Sequence, residues 1–256
     1  MFRVVIPARY ASTRFPGKPL VDLAGRPMLQ WSYDNARASG AREVLVATDD
    51  ERIAAVARGF GAAVVMTAAS HASGTDRIAE AAVHAGWGPR DIVGNLQGDE
   101  PSLPPRLLSQ GAELLARHET ADVATLAVPV TSVEEYLGPN AVKVVAAPEG
   151  RALYFSRAPI PWHRDGAAPG QPPRFAGARR HVGLYAYRVD ALRRLAALPV
   201  AALEEAEKLE QLRALAHGLE IRVADALERP GQDINTPADL ERAAAALRSR
   251  AAGPGA

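Results

Sequence analysis

Short runs of apolar and β-branched residues alternate with longer segments of helical periodicity through the first half of the chain. The strand-like runs and the helical segments that follow them are residues 4–6 and 27–39, 43–47 and 51–60, 63–66 and 75–84, and 91–96 and 104–118. This alternation is typical of βαβ units. It predicts an α/β fold of three layers, in which helices cover both faces of a mixed, mostly parallel sheet.

The pattern changes after Asp122. The segments "VATLAVPV" and "NAVKVVAAPEGRALYFSR" carry strand-like runs around a turn at residues 148–150, which indicates a small antiparallel extension. Residues 164–179 are rich in Pro, Gly and Ala and predict a loop or lid. The remaining predicted elements are a strand at 181–188, helices at 190–197 and 204–217, a strand at 219–224 and a helix at 236–248.

We therefore expect one domain over residues 1–248, with residues 140–188 as an extension and residues 249–256 as a disordered tail. The formal charge of +1, from 30 Lys and Arg against 29 Asp and Glu, favours neither nucleic acid nor a membrane as partner. The chain has no cysteine, which excludes disulfides, thiolate zinc sites and a Cys nucleophile. The apolar run at residues 2–6 is too short for a signal peptide, so we expect a cytoplasmic protein.

A basic loop follows the first predicted strand. The segment "RYASTRFPGKPL" places Arg9, Arg14 and Lys18 beside the hydroxyls of Ser12 and Thr13. Loops at the carboxyl edge of a parallel sheet bind ligands. Two guanidinium groups and an ammonium group match a triphosphate, whose charge needs several converging donors. The alternative interpretation is a solvated basic loop.

This loop is neither of two common phosphate motifs. It is not a Walker loop, because no Gly stands five residues before Gly17 and Pro19 replaces the Ser or Thr that would bind magnesium. It is not a dinucleotide fingerprint either, since the nearest approach, "GFGAA", precedes a strand instead of following one.

Six further motifs, "HASGTDR", "NLQGDEP", "NAVKVV", "YFSRAPIPW", "RHVGLYAYR" and "EKLEQLRAL", extend the pattern over nearly the whole chain. With the basic loop, they resemble the 3-deoxy-manno-octulosonate cytidylyltransferase (CMP-Kdo synthetase) family. The related CMP-sialate synthetases fit less closely. The resemblance implies a nucleotide-diphospho-sugar transferase fold and a role in lipopolysaccharide biosynthesis. The implied reaction joins CTP and 3-deoxy-D-manno-octulosonate (Kdo) to give CMP-Kdo and pyrophosphate, with Mg²⁺.

The chemistry of this reaction needs cations and a divalent metal on the leaving pyrophosphate. Arg14 and Lys18 are the candidates for the β and γ phosphates, and Arg9 is a weaker one. Asp99 follows a buried strand and is the first candidate metal ligand. The family's second ligand is usually an Asp in "DTPEDL"; here Asn235 occupies that place.

Asp233 stands two residues before Asn235 and is the alternative second ligand. Asn235 is preferred for its position, because an amide oxygen can also coordinate magnesium. No side chain is assigned as a general base, since a bound metal ion lowers the pKa of an attached hydroxyl.

Recognition of the cytosine falls, by resemblance, to Ser73 and Arg77 of "HASGTDR" and to Gln97, with the backbone at Ala8. Ser12 and Arg9 of the basic loop are further nucleotide-binding candidates. From the residues alone, Ser73 could equally cap a helix and Arg77 could lie on the surface. For the sugar, the resemblance indicates six residues: Gln97, Arg157, His181, Tyr185, Glu210 and Gln211. His181 and Tyr185 lie four apart in a strand and should share one face.

Family resemblance also implies a homodimer formed partly through residues 140–188. The alternatives are activation of another sugar acid, such as sialic acid or 8-amino-Kdo, and a module that binds CTP without turnover. A glycosyltransferase is disfavoured, because "QGDEP" is not the DxD metal motif that such enzymes usually carry.

Overall fold

A computed structural model describes residues 1–11, 15–164, 172–231, 234 and 237–251. The strands of this described part are β1 Phe2–Ala8, β2 Asp22–Leu23, β3 Arg26–Pro27, β4 Val44–Thr48, β5 Ala63–Met66, β6 Ile92–Asn95, β7 Val123–Pro129, β8 Lys143–Ala146, β9 Ala152–Ser156, β10 Arg179–Arg188 and β11 Ile221–Asp225. The helices are α1 Met28–Ala38, α2 Glu51–Gly59, α3 Gly74–His84, α4 Pro105–Arg117, α5 Val133–Leu137, α6 Val189–Ala197, α7 Ala202–Glu207, α8 Gln211–Ala216 and α9 Pro237–Ala251, with a 3₁₀ turn at Lys18–Leu20.

The main sheet has the strand order β11-β7-β10-β6-β1-β4-β5. β1 is parallel to β4 and β6, β4 is parallel to β5, and β7 is parallel to β11. β10 runs antiparallel between β6 and β7. The predicted α/β class with a mixed, mostly parallel sheet is confirmed.

Alternate residues of β1 point to opposite faces of the sheet, as its pleat requires. Val4 and Ile6 pack in an apolar cluster with α1, α2 and α4, whereas Val5 packs in a second cluster with α3, α6 and α8. All three side chains are fully buried. Each such side chain stabilises the fold by about 1.5–3 kcal/mol. The two clusters are the interfaces between the three layers.

β8 and β9 form an antiparallel hairpin around the predicted turn, where Gly150 has a left-handed φ of 88°. The hairpin joins the main sheet through Lys143, which lies opposite Arg180 of β10. β10 itself is a central strand of the main sheet. Residues 179–188 of the expected 140–188 extension therefore belong to the main sheet.

The single helix predicted at residues 204–217 was wrong, because this segment forms two helices, α7 and α8. Lys208 ends α7 in the left-handed conformation, with φ 53°. Leu209 then turns into the core, where it is 6% exposed. The helix is interrupted by a backbone conformation that is rare for non-glycine residues. No Gly or Pro marks this interruption in the sequence.

Two short structures were not predicted. The β2–β3 hairpin turns at Ala24 and Gly25, which both have positive φ, as a two-residue hairpin loop requires. Helix α5 begins after Ser132, whose side chain accepts a hydrogen bond from the backbone N–H of Glu135.

The final helix reaches Ala251, three residues beyond its predicted end at 248. The rest of the predicted tail, residues 252–256, lies outside the described residues. In the part of the chain that is described, no helix combines the length and the apolar character needed to cross a bilayer.

Candidate active site

Three adjoining hollows follow the sheet edge at which β1 and β6 end. The first, of about 90 Å³, is lined by Pro7, Ala8, Arg9, His71, Ser73, Gly74, Arg77 and Gln97. The second, of about 150 Å³, is lined by Pro7, Ala8, Arg9, Lys18, Pro19, Gln97, Gly98 and Asp99. The third, of about 200 Å³, is lined by residues 99–103, 140–142, 180–183, 230 and 231.

Shared residues join these hollows into one cleft. Pro7, Ala8, Arg9 and Gln97 line both the first and the second hollow. Asp99 lines both the second and the third. Asp99 therefore marks the junction at which groups held in the two neighbouring hollows would meet.

An ion pair lies at this junction. Nζ of Lys18 donates a hydrogen bond of 2.7 Å to Oδ2 of Asp99. The Lys18 side chain is 12% exposed and that of Asp99 is 39% exposed. A cation and a carboxylate are thus held together at the wall of the second hollow, beside the end of β1.

Gly98 allows the two strand ends to approach each other. A methyl group on its Cα would come within 3.2 Å of Cβ of Ala8 and of Cδ1 of Leu29, and within 3.3 Å of the Pro7 carbonyl oxygen. Its backbone N–H donates to that same carbonyl at 3.3 Å. A side chain here would push Asp99 away from the end of β1.

The first hollow is built around the start of α3. Ser73 is the N-cap of this helix, and its hydroxyl accepts a hydrogen bond from the backbone N–H of Asp76 at 3.2 Å. Gly74 leaves room for Gln97, whose Nε2 would lie 3.4 Å from an added methyl group. Gln97 donates through Nε2 to Oδ1 of Asn95 at 3.2 Å, which orients its amide.

Arg77 is buried in the wall of the first hollow and is 4% exposed. Its guanidinium group donates to Oγ1 of Thr67 and lies 3.1 Å from Oδ1 of Asp49. Thr67 and Asp49 directly follow β5 and β4, so Arg77 ties two strand ends to α3. The interpretation of Arg77 as a surface residue was wrong.

The third hollow contains a second cation and a histidine from β10. Nε of Arg180 donates to Oε1 of Glu135 at 2.8 Å, and the Arg180 side chain is 25% exposed. His181 is buried, with its ring 5.0 Å from that of Phe155 and 5.3 Å from that of Tyr185. The contact with Tyr185 confirms that the two side chains share one face of β10.

Hydrogen bonding fixes the tautomer of His181. Oγ1 of Thr125 lies 2.6 Å from the Leu184 carbonyl oxygen and 3.1 Å from that of Val182. Its single proton goes to these acceptors, so Nε2 of His181, 2.9 Å away, must donate to Oγ1. Burial, with a contribution from the Arg180 charge, lowers the pKa of His181 to about 3. The ring is neutral at pH 7, and its Nδ1 is a hydrogen-bond acceptor.

This neutral histidine predicts a loss of stability in mild acid. The unfolded chain takes up a proton at His181 near the ordinary pKa of 6.5, whereas the folded chain does so only at about 3. The part of the folding stability that depends on an unprotonated His181 is therefore complete above pH 6.5 and is lost as the pH falls toward 3. Between pH 7 and pH 5 the difference is about 2 kcal/mol of unfolding free energy.

Urea unfolding at both pH values measures the effect. The free energy of unfolding of the wild type should fall by about 2 kcal/mol more than that of His181→Gln. Because all other titrating groups are common to the two proteins, they cancel in this comparison. Equal decreases in the two proteins would contradict the depressed pKa.

The sequence profile of the family described as "Cytidylyltransferase" matches residues 3–221. A 3-deoxy-manno-octulosonate cytidylyltransferase of Thioalkalivibrio sulfidiphilus is 54% identical over 248 residues, which are 97% of this chain and 99% of that protein. This chain belongs to the 3-deoxy-manno-octulosonate cytidylyltransferase family. A relative of the same name from Nitrosococcus oceani is 53% identical over 94% of both chains.

Solved structures agree with this family assignment. A CMP:2-keto-3-deoxy-manno-octonic acid synthetase complexed with CTP matches 98% of this chain and 100% of its own, with a TM-score of 0.87 and 40% identity. A 4-diphosphocytidyl-2C-methyl-D-erythritol synthase from Anaerococcus prevotii has a TM-score of 0.59 at 13% identity, which shows the shared fold alone.

The structure gathers many of the residues that the family resemblance indicates. The cleft is lined by Ala8, Arg9, Lys18, Ser73, Arg77, Gln97, Asp99 and His181. Ser12, Thr13, Arg14, Asp233 and Asn235 lie outside the described residues, so their assignments stay predictions. Ile234 is described, and it is buried against Leu23 and Met28.

Three of the indicated sugar residues are not among the residues that line the three hollows: Tyr185, Glu210 and Gln211. The Tyr185 ring stacks on that of Tyr187 at 5.6 Å, and burial raises the pKa of Tyr185 well above its usual range. Oε2 of Glu210 accepts a 2.5 Å hydrogen bond from Oγ1 of Thr75. Gln211 is 8% exposed.

Arg157 is likewise absent from the lining of the three hollows. Its Nε donates to the Glu207 carbonyl oxygen at 2.7 Å and its Nη1 to that of Pro139 at 2.8 Å. Lys143 supports the same region: it is fully buried, and its Nζ donates to the carbonyl oxygens of Gly138 at 2.9 Å and of Arg157 at 2.7 Å. These two cations hold the segment that leads to Asn140 in the third hollow.

Among the cleft residues that the sequence predictions did not assign are His71 and Arg180. His71 lines the first hollow, where its Nε2 contacts Oε2 of Glu80, a carboxylate oxygen that also accepts from the backbone N–H of Ala68 at 2.9 Å. Both residues stand at or near the start of quoted motifs, "HASGTDR" and "RHVGLYAYR". Their position in these motifs was the signal that could have identified them as site residues.

Proposed function

We propose that this member of the family transfers the cytidylyl group of CTP to Kdo. The anomeric hydroxyl oxygen of Kdo forms a bond to the α-phosphorus, and the bond from this phosphorus to the oxygen bridging to the β-phosphorus breaks. The products are CMP-Kdo, pyrophosphate and the proton of the attacking hydroxyl. Catalysis then consists of positioning and of stabilising the charge that develops on the leaving group.

The continuity of the three hollows is the observation that carries this proposal. The first hollow suits a base, since it offers the oriented amide of Gln97 and the start of α3. Lys18 and Arg9 make the second hollow suitable for the phosphates. The third offers Arg180 for the carboxylate of the sugar acid and the acceptor Nδ1 of His181 for a hydroxyl. In this order the sugar hydroxyl meets the α-phosphate next to Asp99.

The proposal includes Mg²⁺. Lys18 engages one oxygen of the Asp99 carboxylate, which is partly exposed at the junction of two hollows. No cluster of three or more His, Asp or Glu residues suited to a metal ion occurs among the residues that the structure describes. A partly exposed carboxylate beside a hollow suited to phosphates fits Mg²⁺, which is usually held by one or two carboxylates with phosphate oxygens and water. When bound, the ion would offset phosphate charge and lower the pKa of an attached hydroxyl.

A homodimer and a cytoplasmic location are further parts of the proposal. The exposed Leu153 on β9, which is 51% exposed, and Trp162, which is 62% exposed, lie in the 140–188 segment expected to form the dimer. Exposed apolar residues of this size are enriched in interfaces. The composition without cysteine fits a reducing compartment.

Pyrophosphate release is the test of the reaction. The wild-type protein is offered CTP, Mg²⁺ and, in parallel, Kdo, sialic acid and 8-amino-Kdo, and the products are identified by mass spectrometry. We expect release with Kdo, formation of CMP-Kdo, and much lower release when UTP replaces CTP.

The other outcomes identify the alternatives. Preferential turnover of another sugar acid would keep the transfer reaction and replace the acceptor. Binding of CTP without pyrophosphate release from any of the three acids would contradict the proposed enzyme and favour a nucleotide-binding module.

A further inference from the structure

Tyr10, near the start of the basic loop, contacts Gly17 near its end. The backbone N–H of Gly17 donates to the Tyr10 carbonyl oxygen at 2.9 Å, which joins the two described ends of the loop. The Tyr10 ring also lies against Gly17, because a methyl group on Gly17 would be 3.0 Å from Cε2 and 3.3 Å from Oη of that ring. Gly17 has a φ of 71°, so a side chain would be both strained and too close.

Arg52, on α2, lies over the same ring. Its Cζ is 3.4 Å from the centroid of the Tyr10 ring, the distance of close stacking between a guanidinium plane and an aromatic face. The Arg52 side chain is 60% exposed, so it contributes little to the core. Its position matters because the side chain reaches from the start of α2, after β4, to the loop that follows β1.

Asp50 fixes Arg52 in this position. The Asp50 carboxylate accepts hydrogen bonds from Nε at 3.0 Å and from Nη2 at 2.6 Å, and it also caps α2 by accepting from the backbone N–H of Arg52 at 2.9 Å. The backbone N–H of Asp50 lies 3.2 Å from Oγ1 of Thr48, the last residue of β4. The guanidinium plane is therefore anchored to the end of β4.

We infer that Arg52 and Tyr10 are positioning residues for the phosphate-binding hollow, acting through Gly17 on Lys18. Tyr10 follows Arg9, and Gly17 precedes Lys18; Arg9 and Lys18 both line the second hollow. The stack of Arg52, Tyr10 and Gly17 sets the distance between these two cations and places Nζ of Lys18 at Asp99. The inference rests on the proposed function, since it assigns the hollow to the phosphates of CTP.

The test compares Arg52→Met with Arg58→Met. Both residues are exposed arginines on α2, but Arg58 pairs with Glu51 on the helix surface, at 2.6 Å, and is the matched control. Arg52→Met should raise the KM for CTP about two- to fivefold, the effect of one exposed cation–π contact, with a smaller change in kcat. Arg58→Met should leave both constants unchanged.

A second pair of variants separates positioning through Tyr10 from other effects. Tyr10→Phe keeps the ring and should retain the low KM. Tyr10→Leu should raise the KM by more than Arg52→Met does, and adding Arg52→Met to it should cause no further rise, because the stacking partner is gone. Equal constants for Arg52→Met and Arg58→Met, or an undiminished effect of Arg52→Met on the Tyr10→Leu background, would overturn the inference.

Calorimetric titration of the same variants with CTP and Mg²⁺ keeps the two proposals distinguishable. The weakening of CTP binding in Arg52→Met relative to Arg58→Met is measurable without turnover. Absence of turnover in the wild type would contradict the proposed function, while the comparison of CTP affinities would still decide the role of Arg52.

Discussion

Asp99→Asn is expected to lower turnover by at least about 100-fold at saturating CTP and ordinary Mg²⁺, the typical cost of removing one charge-stabilising group from an active site. Asparagine has the same size and can still accept the hydrogen bond from Lys18, so the junction of the second and third hollows keeps its shape. What the variant loses is the negative charge that we propose holds Mg²⁺. Steady-state rates measured over a range of Mg²⁺ concentrations should show a raised requirement for the ion.

Asp34→Asn is the matched control for this change. Asp34 is an exposed carboxylate on α1 that, like Asp99, is paired with a basic side chain, here Arg26 at 3.2 Å. Its substitution should leave both the rate and the Mg²⁺ dependence unchanged. Full activity of Asp99→Asn at ordinary Mg²⁺ would refute the assignment of Asp99 as a metal ligand.

Lys18→Met should reduce kcat/KM for CTP by about 100-fold, through a higher KM and a lower kcat. Methionine keeps the unbranched stem of the mostly buried side chain but cannot donate to Asp99 or to a phosphate. Since the ammonium group would face charge on the leaving pyrophosphate, its loss should slow the chemical step as well as weaken binding. Initial rates at several CTP concentrations separate the two effects.

Lys208→Met supplies the control for this substitution, because Lys208 is an exposed lysine. Its left-handed backbone holds a non-glycine residue both before and after the change. We expect wild-type constants for it. If Lys18→Met also showed wild-type constants, Lys18 would have to be removed from the site.

The sequence predicted the main sheet well because its central strands are buried on both faces. Such strands appear as continuous apolar runs, and four of them are followed by helices with clear periodicity. The β2–β3 hairpin and the division between α7 and α8 depend instead on positive φ at Ala24 and Lys208. These residue types carry no strong preference for that conformation, so local sequence could not show it.

Within the site, prediction succeeded where a polar residue follows a parallel strand. Ala8 and Arg9 close β1, and Gln97 and Asp99 follow β6, so all four reach the carboxyl edge of the sheet. β10 is antiparallel to β6 and brings its beginning to that edge. Arg180 therefore lies near the beginning of β10. A search for polar residues that follow strand ends does not find it.

The hydrogen-bond partners of arginine side chains were the other limit. The guanidinium group of Arg77, which lines the first hollow, donates to Thr67, and that of Arg157 donates to the carbonyl oxygens of Glu207 and Pro139. A sequence gives the presence of an arginine, but the acceptors around it come from distant segments, such as Thr67 for Arg77 and Glu207 for Arg157. The choice between a ligand contact and an internal tie is made only in the folded chain.

The fully buried amine of Lys143 has a consequence for alkaline solution. Burial lowers its pKa, so the folded chain loses this proton more readily than an exposed lysine would. A neutral amine still carries two N–H bonds, which equals the number of carbonyl oxygens that it serves, those of Gly138 and Arg157. Deprotonation thus removes a charge but leaves neither oxygen unsatisfied, and the segment before Asn140 keeps its anchor at high pH.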